Sequence, residues 1–187
     1  MITHTIGAVL TGGLASRMGA PKASLTYLDT PFIDHVIATL SIVLDEVVVC
    51  GGDYSGPLPV LSDPVEGAGP LAGIMAALTH ADGRPVMVAP VDMPLITVDL
   101  TRRLVDPQVE SMGARIARHD DSIQPLCATY GPGLRSLIQD RLARDELAVF
   151  GFVDQIEAVE YINADPHTLT NVNTPQDYED LTGGGTE

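Results

Sequence analysis

Predominantly apolar segments alternate with helical patterns along this 187-residue chain, and no other feature constrains its fold as strongly. Residues 5–10, 46–50 and 86–89 lack the polar–apolar alternation of strands that have one face in water. Strands of this kind are buried on both faces, as in a parallel sheet that helices cover on either side. The sequence therefore predicts an α/β fold of three layers.

Helices and shorter strands complete the predicted order of elements. Thr30 is the predicted N-cap of a helix that has Pro31 at its first position and ends near residue 43. Thr97 is predicted to cap a helix that ends near residue 105. Further helices are predicted at residues 70–80, 134–144 and 174–181, and further strands at residues 60–61 and 159–162.

A hairpin is predicted where residues 114–118 and 124–130 flank the sequence Asp120-Asp121-Ser122. Its antiparallel pair would make the sheet mixed but mostly parallel, with helices on both faces. We expect residues 1–187 to form a single domain, since this length suits one hydrophobic core, with a flexible glycine-rich tail at residues 183–187.

The balance of charge argues against nucleic acids and anionic membranes as partners. The net charge is −15, and a phosphate polymer would be repelled except at a local basic patch. No apolar run approaches the ~18 residues of a membrane span, and no secretion signal is visible. Two cysteines fit free thiols in a reducing compartment, so we expect a cytoplasmic location.

The one lysine of the chain, Lys22, ends a glycine-rich stretch that follows the first predicted strand. This stretch also contains Gly12-Gly13 and Arg17. A loop of exposed backbone N–H groups with two cations is a typical cradle for phosphates. A compact ammonium over a phosphate is not freely exchanged for a guanidinium, whereas a surface charge can be either. We therefore predict a polyphosphate site here, with a solvated turn as the alternative.

Two acidic residues follow other predicted strands, Asp63 after residues 60–61 and Asp92 after residues 86–89. Ligands bind at the carboxyl ends of strands in such sheets, so we expect both residues to converge with the glycine-rich loop. Asp92 is a hard oxygen ligand that suits Mg²⁺, which prefers one or two carboxylates with phosphate oxygens; capping the next helix is the alternative. Asp63 could accept hydrogen bonds from a base or a ribose, or occupy an Asp-Pro turn.

Two common phosphate-binding motifs are excluded by the letters of the sequence. A Walker A loop requires Gly-Lys followed by Ser or Thr, but Pro21 precedes Lys22 and Ala23 follows it. Residues 67–72 match a dinucleotide fingerprint in letters, but they include Pro70 and follow an acidic loop instead of a strand. The phosphate site therefore belongs to another class of nucleotide-binding protein.

Several motifs occur together in one order along the chain. They are the pattern L-x-G-G-x-x-x-R-M-G-x-x-K from Leu10 to Lys22, Gly69-Pro70-Leu71-Ala72-Gly73, Asp92-Met93-Pro94, Gln124-Pro125-Leu126 with Ala128 and Tyr130, and Asn171-Val172-Asn173-Thr174-Pro175. As a set they resemble the molybdenum cofactor guanylyltransferase family over essentially the whole chain. The resemblance implies a Rossmann-like sheet of the nucleotide-diphospho-sugar transferase type.

The same resemblance implies an activity and its partners. The activity is transfer of GMP from GTP to molybdenum-loaded molybdopterin with Mg²⁺ as cofactor, and the protein partners would be molybdenum-insertion proteins or apo-molybdoenzymes in transient contact. It also implies site residues. Those are Arg17, Lys22 and Asp92 for catalysis; Leu10, Thr11, Gly12, Gly13, Lys22, Cys50, Asp63 and Asp92 for the nucleotide; Asp92 and Asn173 for the metal; and Gln124, Pro125 and Asn171 for the acceptor.

Two positions depart from the family pattern and keep alternatives open. Members often have Asn where this chain has Cys50, and Asp where it has Pro21. The sequence R-M-G-x-P-K is more typical of cytidylyl relatives, yet those relatives usually carry a serine-rich segment where this chain has Gly69-Pro70-Leu71-Ala72-Gly73. The motifs therefore favour GTP. The alternatives are a CTP-dependent molybdopterin cytidylyltransferase and a non-catalytic nucleotide-binding module of molybdoenzyme assembly.

Overall fold

The computed structural model describes residues 4–11, 25–52, 54–65, 67–105 and 109–183. Within these ranges the elements follow in the order β1 (Ile6–Leu10), β2 (Thr26–Tyr27), β3 (Thr30–Pro31), α1 (Phe32–Val43), β4 (Val47–Cys50), β5 (Val60–Leu61), α2 (Pro70–Ala81), β6 (Val86–Pro90), α3 (Val98–Leu104), β7 (Gly113–His119), β8 (Ser122–Tyr130), α4 (Leu134–Ala143), α5 (Val149–Val153), β9 (Ala158–Asn163) and α6 (Pro175–Gly183). No helix among the described residues is both long and apolar enough to span a membrane.

Seven strands form one sheet in the order β5-β4-β1-β6-β8-β7-β9. Strands β5, β4, β1 and β6 pair in parallel, and β7 pairs in parallel with β9. Strand β8 runs against both of its neighbours, β6 and β7. The predicted mixed, mostly parallel sheet is therefore confirmed, and β8 alone is reversed among the strands of this sheet in the described ranges.

Helices cover both faces of the sheet, as the apolar strands predicted. Along β1, Ala8 packs with α2, α4 and α5 on one face, whereas Val9 packs with α1 and α3 on the other. Helix α6 adds Tyr178 and Leu181 to the second face. A strand that is covered on both sides removes apolar surface from water on each face, which is why these strands carry so few polar residues.

The start of α1 differs from the prediction. Thr30 does not cap the helix; it pairs with Tyr27 in a two-stranded ribbon, and its hydroxyl donates to the carbonyl of Leu28. Pro31 stands at the N-cap with ψ 143°, without a side-chain cap, and the helix begins at Phe32. By contrast, the predicted cap of α3 is confirmed, because Leu100 N donates to Thr97 Oγ1 at 3.2 Å.

The predicted hairpin of β7 and β8 is confirmed, but its ladder is interrupted. The register passes from Ile116 opposite Ala128 directly to Ala117 opposite Gln124. Residues 125–127 of β8 therefore have no counterpart on β7. Such a bulge bends the strand and re-aims its side chains, which matters here because it lies close to the carboxyl edge of the sheet.

The C-terminal end also differs from the prediction in detail. Gly183, which was expected to begin a flexible tail, is the last residue of α6, and residues 184–187 lie outside the described ranges.

Candidate functional site

Loops from the parallel strands meet at the carboxyl edge of the sheet. Thr11 follows β1, Gly51 follows β4, and Asp63 and Asp92 each lie two residues beyond β5 and β6. Because β8 runs in the opposite direction, its early residues, which include Gln124, lie at the same edge. The edge therefore brings together the described residues that the sequence predicted for the nucleotide, the metal and the acceptor.

Thr11 ties the end of β1 to the turn after β4. Its amide donates to Cys50 O at 3.1 Å, and its hydroxyl donates to the carbonyls of Cys50, at 3.0 Å, and of Gly51. The turn has positive φ at Gly51 and Gly52, and a Cβ at Gly52 would lie 2.5 Å from Thr11 Oγ1. Glycine is thus required at this approach. The Thr11 hydroxyl already donates its hydrogen within the loop, so it does not point to a role in donating to a phosphate.

Leu10, Cys50, Asp63 and Gly73 form one corner of the site. A Cβ at Gly73 would lie 3.1 Å from Leu10 Cδ2, 3.5 Å from Cys50 Cβ and 3.9 Å from Asp63 Oδ1. The Cys50 side chain is 1% exposed and belongs to the core. Burial, with the Asp63 charge as a smaller cause, raises the pKa of Cys50 to about 12, so the thiol is protonated at neutral pH. Nucleotide contact by Cys50 stays a prediction.

Asp63 stands at the mouth of this corner. The residue as a whole is exposed, yet its carboxyl lies against the start of α2, and this partial burial raises the pKa of Asp63. The helix starts at Pro70 behind Gly69, whose φ of 66° and ψ of −152° suit glycine alone. Residues 67–72, which matched the dinucleotide fingerprint in sequence, therefore form a tight glycine turn and the start of α2.

Asp92 is connected to the C-terminal part of the chain through its main chain. Val172 N donates to Asp92 O at 2.9 Å, and Val172 itself is fully buried. On the other side, Val91 N donates to Leu10 O at 3.0 Å. These two hydrogen bonds place the half-buried Asp92 between the end of β1 and the Asn-Val-Asn segment.

Asn171 and Asn173 flank the buried Val172. Asn171 is half-buried and donates from Nδ2 to Leu169 O at 3.4 Å, whereas Asn173 is exposed. Asp177 of α6 accepts hydrogen bonds from the amides of Asn173, at 2.8 Å, and Thr174, at 2.9 Å. A cavity of about 260 Å³ adjoins Asn171 and is also lined by Leu95, His167, Thr170, Asp177, Asp180 and Leu181.

Gln124 and Pro125 lie at the start of the β8 bulge. The last registered pair between β6 and β8 is Val88 with Ala128. Asp92 follows Val88 by four residues and lies beyond the end of β6, whereas Gln124 precedes Ala128 by four residues on β8. Because β6 and β8 are antiparallel, both segments lead to the carboxyl edge, so the predicted acceptor residues belong to the edge that carries Asp92.

Four predicted residues, Gly12, Gly13, Arg17 and Lys22, lie outside the described residues. Sequence reasoning also missed three contributions among the described ones, namely the Thr11 hydroxyl, the Val172 amide and the Asp177 carboxylate. The capping pattern Thr174-x-x-Asp177 was a visible signal for one of them. A backbone amide such as that of Val172 leaves no mark in the sequence.

A family model and known proteins match this chain over most of its length. Residues 7–154 match the model of the MobA-like NTP transferase domain. A probable molybdenum cofactor guanylyltransferase from Pelotomaculum thermopropionicum is 33% identical over 183 residues, which cover 91% of this chain and 88% of that protein.

Solved structures share the fold. Molybdopterin-guanine dinucleotide biosynthesis protein A from Archaeoglobus fulgidus superposes with a TM-score of 0.78 at 23% identity, over 95% of this chain and 97% of that one. A Mycobacterium tuberculosis protein solved in complex with manganese superposes with a TM-score of 0.70 at 19% identity, over 97% and 99% of the two chains. The predicted fold class is therefore confirmed.

Proposed function

This chain belongs to the MobA-like NTP transferase domain family and is a nucleotidyltransferase, and from that premise we propose that it transfers GMP from GTP to molybdenum-loaded molybdopterin. An oxygen of the terminal phosphate of molybdopterin attacks the α-phosphorus of GTP. The bond from that phosphorus to the β-phosphate oxygen breaks, and pyrophosphate leaves. The products are the guanine dinucleotide form of the cofactor and pyrophosphate.

The observation that carries this proposal is the double attachment of Asp92. Its strand end is bonded to β1 through Val91 N and Leu10 O, and its own carbonyl is bonded to Val172 N. A carboxylate is thereby held between the β1 end, where the predicted phosphate loop starts, and the two asparagines. Nucleotidyl transfer requires this combination of an anionic metal ligand with phosphate-binding loops at one edge.

The donor set at this point fits a divalent cation. Asp92 offers a carboxylate and Asn173 a neutral amide oxygen, and hard oxygen ligands of these kinds are those that Mg²⁺ takes with phosphates. A bound Mg²⁺ would neutralise charge on the phosphates of the nucleotide. A Mycobacterium tuberculosis protein of this fold was solved in complex with manganese, which supports the use of a divalent metal.

The phosphate loop supplies the other positive charge in this proposal. Lys22 and Arg17 stabilise the negative charge that develops on the departing pyrophosphate, while Gly12 and Gly13 offer backbone amides. No general base is required, because the second pKa of a phosphate monoester is near ~6 and the acceptor is already a dianion at neutral pH. Catalysis therefore consists of in-line positioning and charge neutralisation.

Base and acceptor occupy different parts of the edge. The corner formed by Leu10, Cys50, Asp63 and Gly73 receives the base, and the Asp63 carboxylate accepts from the adjacent N1–H and 2-amino donors of guanine. The acceptor approaches from Gln124, Pro125 and Asn171. Cytosine offers one amino donor beside acceptors, so a site built for guanine leaves buried groups unpaired, at roughly 1–3 kcal/mol for each.

One experiment tests this function against its alternatives. The protein is incubated with Mg²⁺, molybdenum-loaded molybdopterin and each of the four nucleoside triphosphates in turn, and pyrophosphate is measured. We expect release with GTP at a kcat/KM at least tenfold above that with CTP. A preference for CTP would make the protein a cytidylyltransferase, and no release with any nucleotide would indicate a non-catalytic binding module, which the family membership disfavours.

The remaining parts of the proposal concern the cellular setting. We propose a cytoplasmic enzyme that contacts molybdenum-insertion proteins or apo-molybdoenzymes transiently and binds neither nucleic acid nor membranes. The net charge of −15 supports the absence of binding to nucleic acids and anionic membranes, since it repels polyanions.

A further inference from the structure

The three-residue bulge of β8 is held by one buried side chain. Residues 125–127 have no counterpart on β7, so no β7 residue lies opposite Pro125 in the strand pairing. Tyr130, five residues further along the same strand, donates from its hydroxyl to Pro125 O at 2.6 Å. A short hydrogen bond between two points of one strand fixes the arc between them.

The surroundings of Tyr130 make this hydrogen bond rigid. The side chain is 0% exposed, and its ring packs against Phe152 of α5 with ring centroids 5.4 Å apart. At the main chain, Tyr130 pairs with Val86 on one side and Ala114 on the other. Burial raises the pKa of Tyr130, so its hydroxyl stays protonated and remains a donor.

The bulge is the part of β8 that approaches Asp92. Beyond the registered pair of Val88 and Ala128, β6 leads to Asp92 and β8 leads back through the bulge to Gln124. Without the Tyr130 hydrogen bond, no hydrogen bond from a side chain would fix residues 125–127 in the described part of the chain. The course of β8 between its pairing with β6 and Gln124 is therefore held by a hydroxyl that lies in the core and is 0% exposed.

We propose that Tyr130 is a positioning residue for the acceptor, acting through the Pro125 carbonyl on the bulge that directly follows Gln124. The inference rests on the proposed function and specifies how its acceptor side is built. Tyr130 touches neither nucleotide nor acceptor; it sets where the bulge presents its residues. The nucleotide corner is built from β1, β4, α2 and the residues that follow β5, and the Tyr130 hydrogen bond is made to none of these.

The test compares Tyr130→Phe with Thr129→Val. Phenylalanine keeps the ring contact with Phe152 and removes the hydroxyl. Thr129 is the adjacent buried residue on the same strand, and its Oγ1 has no hydrogen-bond partner in the described part of the chain, so valine there is a matched control. With Mg²⁺ and GTP saturating, we expect the acceptor KM of Tyr130→Phe to rise about tenfold, which corresponds to about 1.4 kcal/mol.

The other kinetic constants distinguish positioning from general loosening. We expect the KM for GTP to stay within about twofold of wild type, Thr129→Val to behave as wild type, and Tyr130→Phe to add less than about twofold in a Gln124→Ala background. An unchanged acceptor KM, or an equal rise in the KM for GTP, would overturn the inference. Absence of turnover in the wild-type protein would instead overturn the proposed function on which it rests.

Discussion

Asp63 shows a conflict between stability and binding at a single residue. Its carboxyl is partly buried against the start of α2 beside Cys50, and burial raises the pKa of Asp63. A raised pKa means that the ionised form, which would accept hydrogen bonds from a base, is disfavoured by the folded protein. Such local conflicts are expected at sites that are shaped for a ligand.

The sign of this effect predicts how Asp63→Asn changes stability with pH. The contribution of Asp63 to the free energy of unfolding is fully present below its unfolded pKa, about 3.9, and is lost as pH rises through the raised folded pKa. We expect the Tm of Asp63→Asn relative to wild type to increase between pH about 4 and pH about 7. Asp140→Asn, at an exposed position of α4, is the control. A Tm difference that is flat with pH would contradict the prediction.

Asp92 is the residue whose removal separates chemistry from folding most cleanly. The hydrogen bond that anchors the loop is made by its main-chain carbonyl to Val172 N, so Asp92→Ala keeps the anchor and loses the carboxylate. We expect kcat to fall at least about 10²–10³-fold, the usual effect of losing one preorganised charge contact, while Tm stays close to wild type. Steady-state kinetics over a range of Mg²⁺ concentrations measures this.

The matched control for Asp92 is Asp99→Ala. Asp99 lies seven residues later, in the first turn of α3, and its side chain is 80% exposed in a loose pair with Arg103 at 3.7 Å. The Asp99→Ala substitution removes the same charge from the same part of the chain, and we expect this variant to have wild-type kinetics. Retention of metal-dependent turnover by Asp92→Ala within a few-fold would show that the metal assignment is wrong.

At the scale of elements, α6 connects the C-terminus to the site through its cap. Thr174 Oγ1 accepts from Asp177 N at 3.1 Å, and Asp177 Oδ2 accepts from Thr174 N, which together form a capping box. The same carboxylate oxygen accepts from Asn173 N. Tyr178, the next residue of the helix, donates to Thr26 O of the β2–β3 ribbon. One helix start therefore holds the segment that carries Asn173.

This arrangement predicts a double effect of Asp177→Ala. Loss of a capping side chain costs about 1 kcal/mol, or about 2–4 °C in Tm for a chain of this size. The main-chain amide of Asn173 also loses the Asp177 carboxylate as its acceptor. We therefore expect the apparent dissociation constant for Mg²⁺ to rise about threefold or more, a loss of binding free energy of the same order as the stability lost with the cap. Titration of turnover with Mg²⁺ measures this.

Asp180→Ala is the control for Asp177. This variant removes an equal charge from the same helix at an exposed position, where the Asp180 carboxylate accepts a hydrogen bond from Gln176 Nε2 at 2.9 Å. If both variants shifted the Mg²⁺ constant equally, the effect would be one of net charge and not of the position of Asn173.

The sequence predicted the long elements well and missed three short ones, for a physical reason. Buried strands are continuous apolar runs, helices of ten or more residues carry a periodic apolar pattern, and the predicted ends of both lie within about two residues of the observed ones. The two-residue strands β2 and β3 and the five-residue α5 are too short for any period. The turn between β2 and β3 has positive φ at Leu28 and Asp29, and Leu28 gives no signal for that conformation.

The candidate site was predictable where chemistry depends on residue type and unpredictable where it depends on the main chain. Asp63 and Asp92 were predicted to lie at the carboxyl edge, and they do. The hydrogen bond from Val172 N to Asp92 O joins residues eighty positions apart, and any residue but proline could make it. The bulge that Tyr130 holds is equally invisible, because a register shift alters pairing without altering composition.

At the scale of the whole molecule, the charge of the chain sharpens the role of its one lysine. A net charge of −15 repels an anionic nucleotide, so binding requires local cations that reverse the field. Nine arginines are spread along the sequence, and eight of them lie outside the glycine-rich loop. Lys22 is thus the only side-chain amine with which an acylating reagent can react.

Acetylation of the wild-type protein should therefore act as a single-site experiment. Acetylation neutralises an ammonium and removes its donors, so we expect turnover to fall in proportion to modification of Lys22, by about 10²–10³-fold when it is complete. The α-amino group has a pKa near ~8 and lysine near ~10.4, so reaction at pH about 6.5 modifies the N-terminus alone and serves as the control, whereas reaction at pH about 9 modifies both. Magnesium and GTP together should protect Lys22. Peptide mass spectrometry measures the modified fraction, and full turnover by protein acetylated at Lys22 would show that this amine does not serve the reaction.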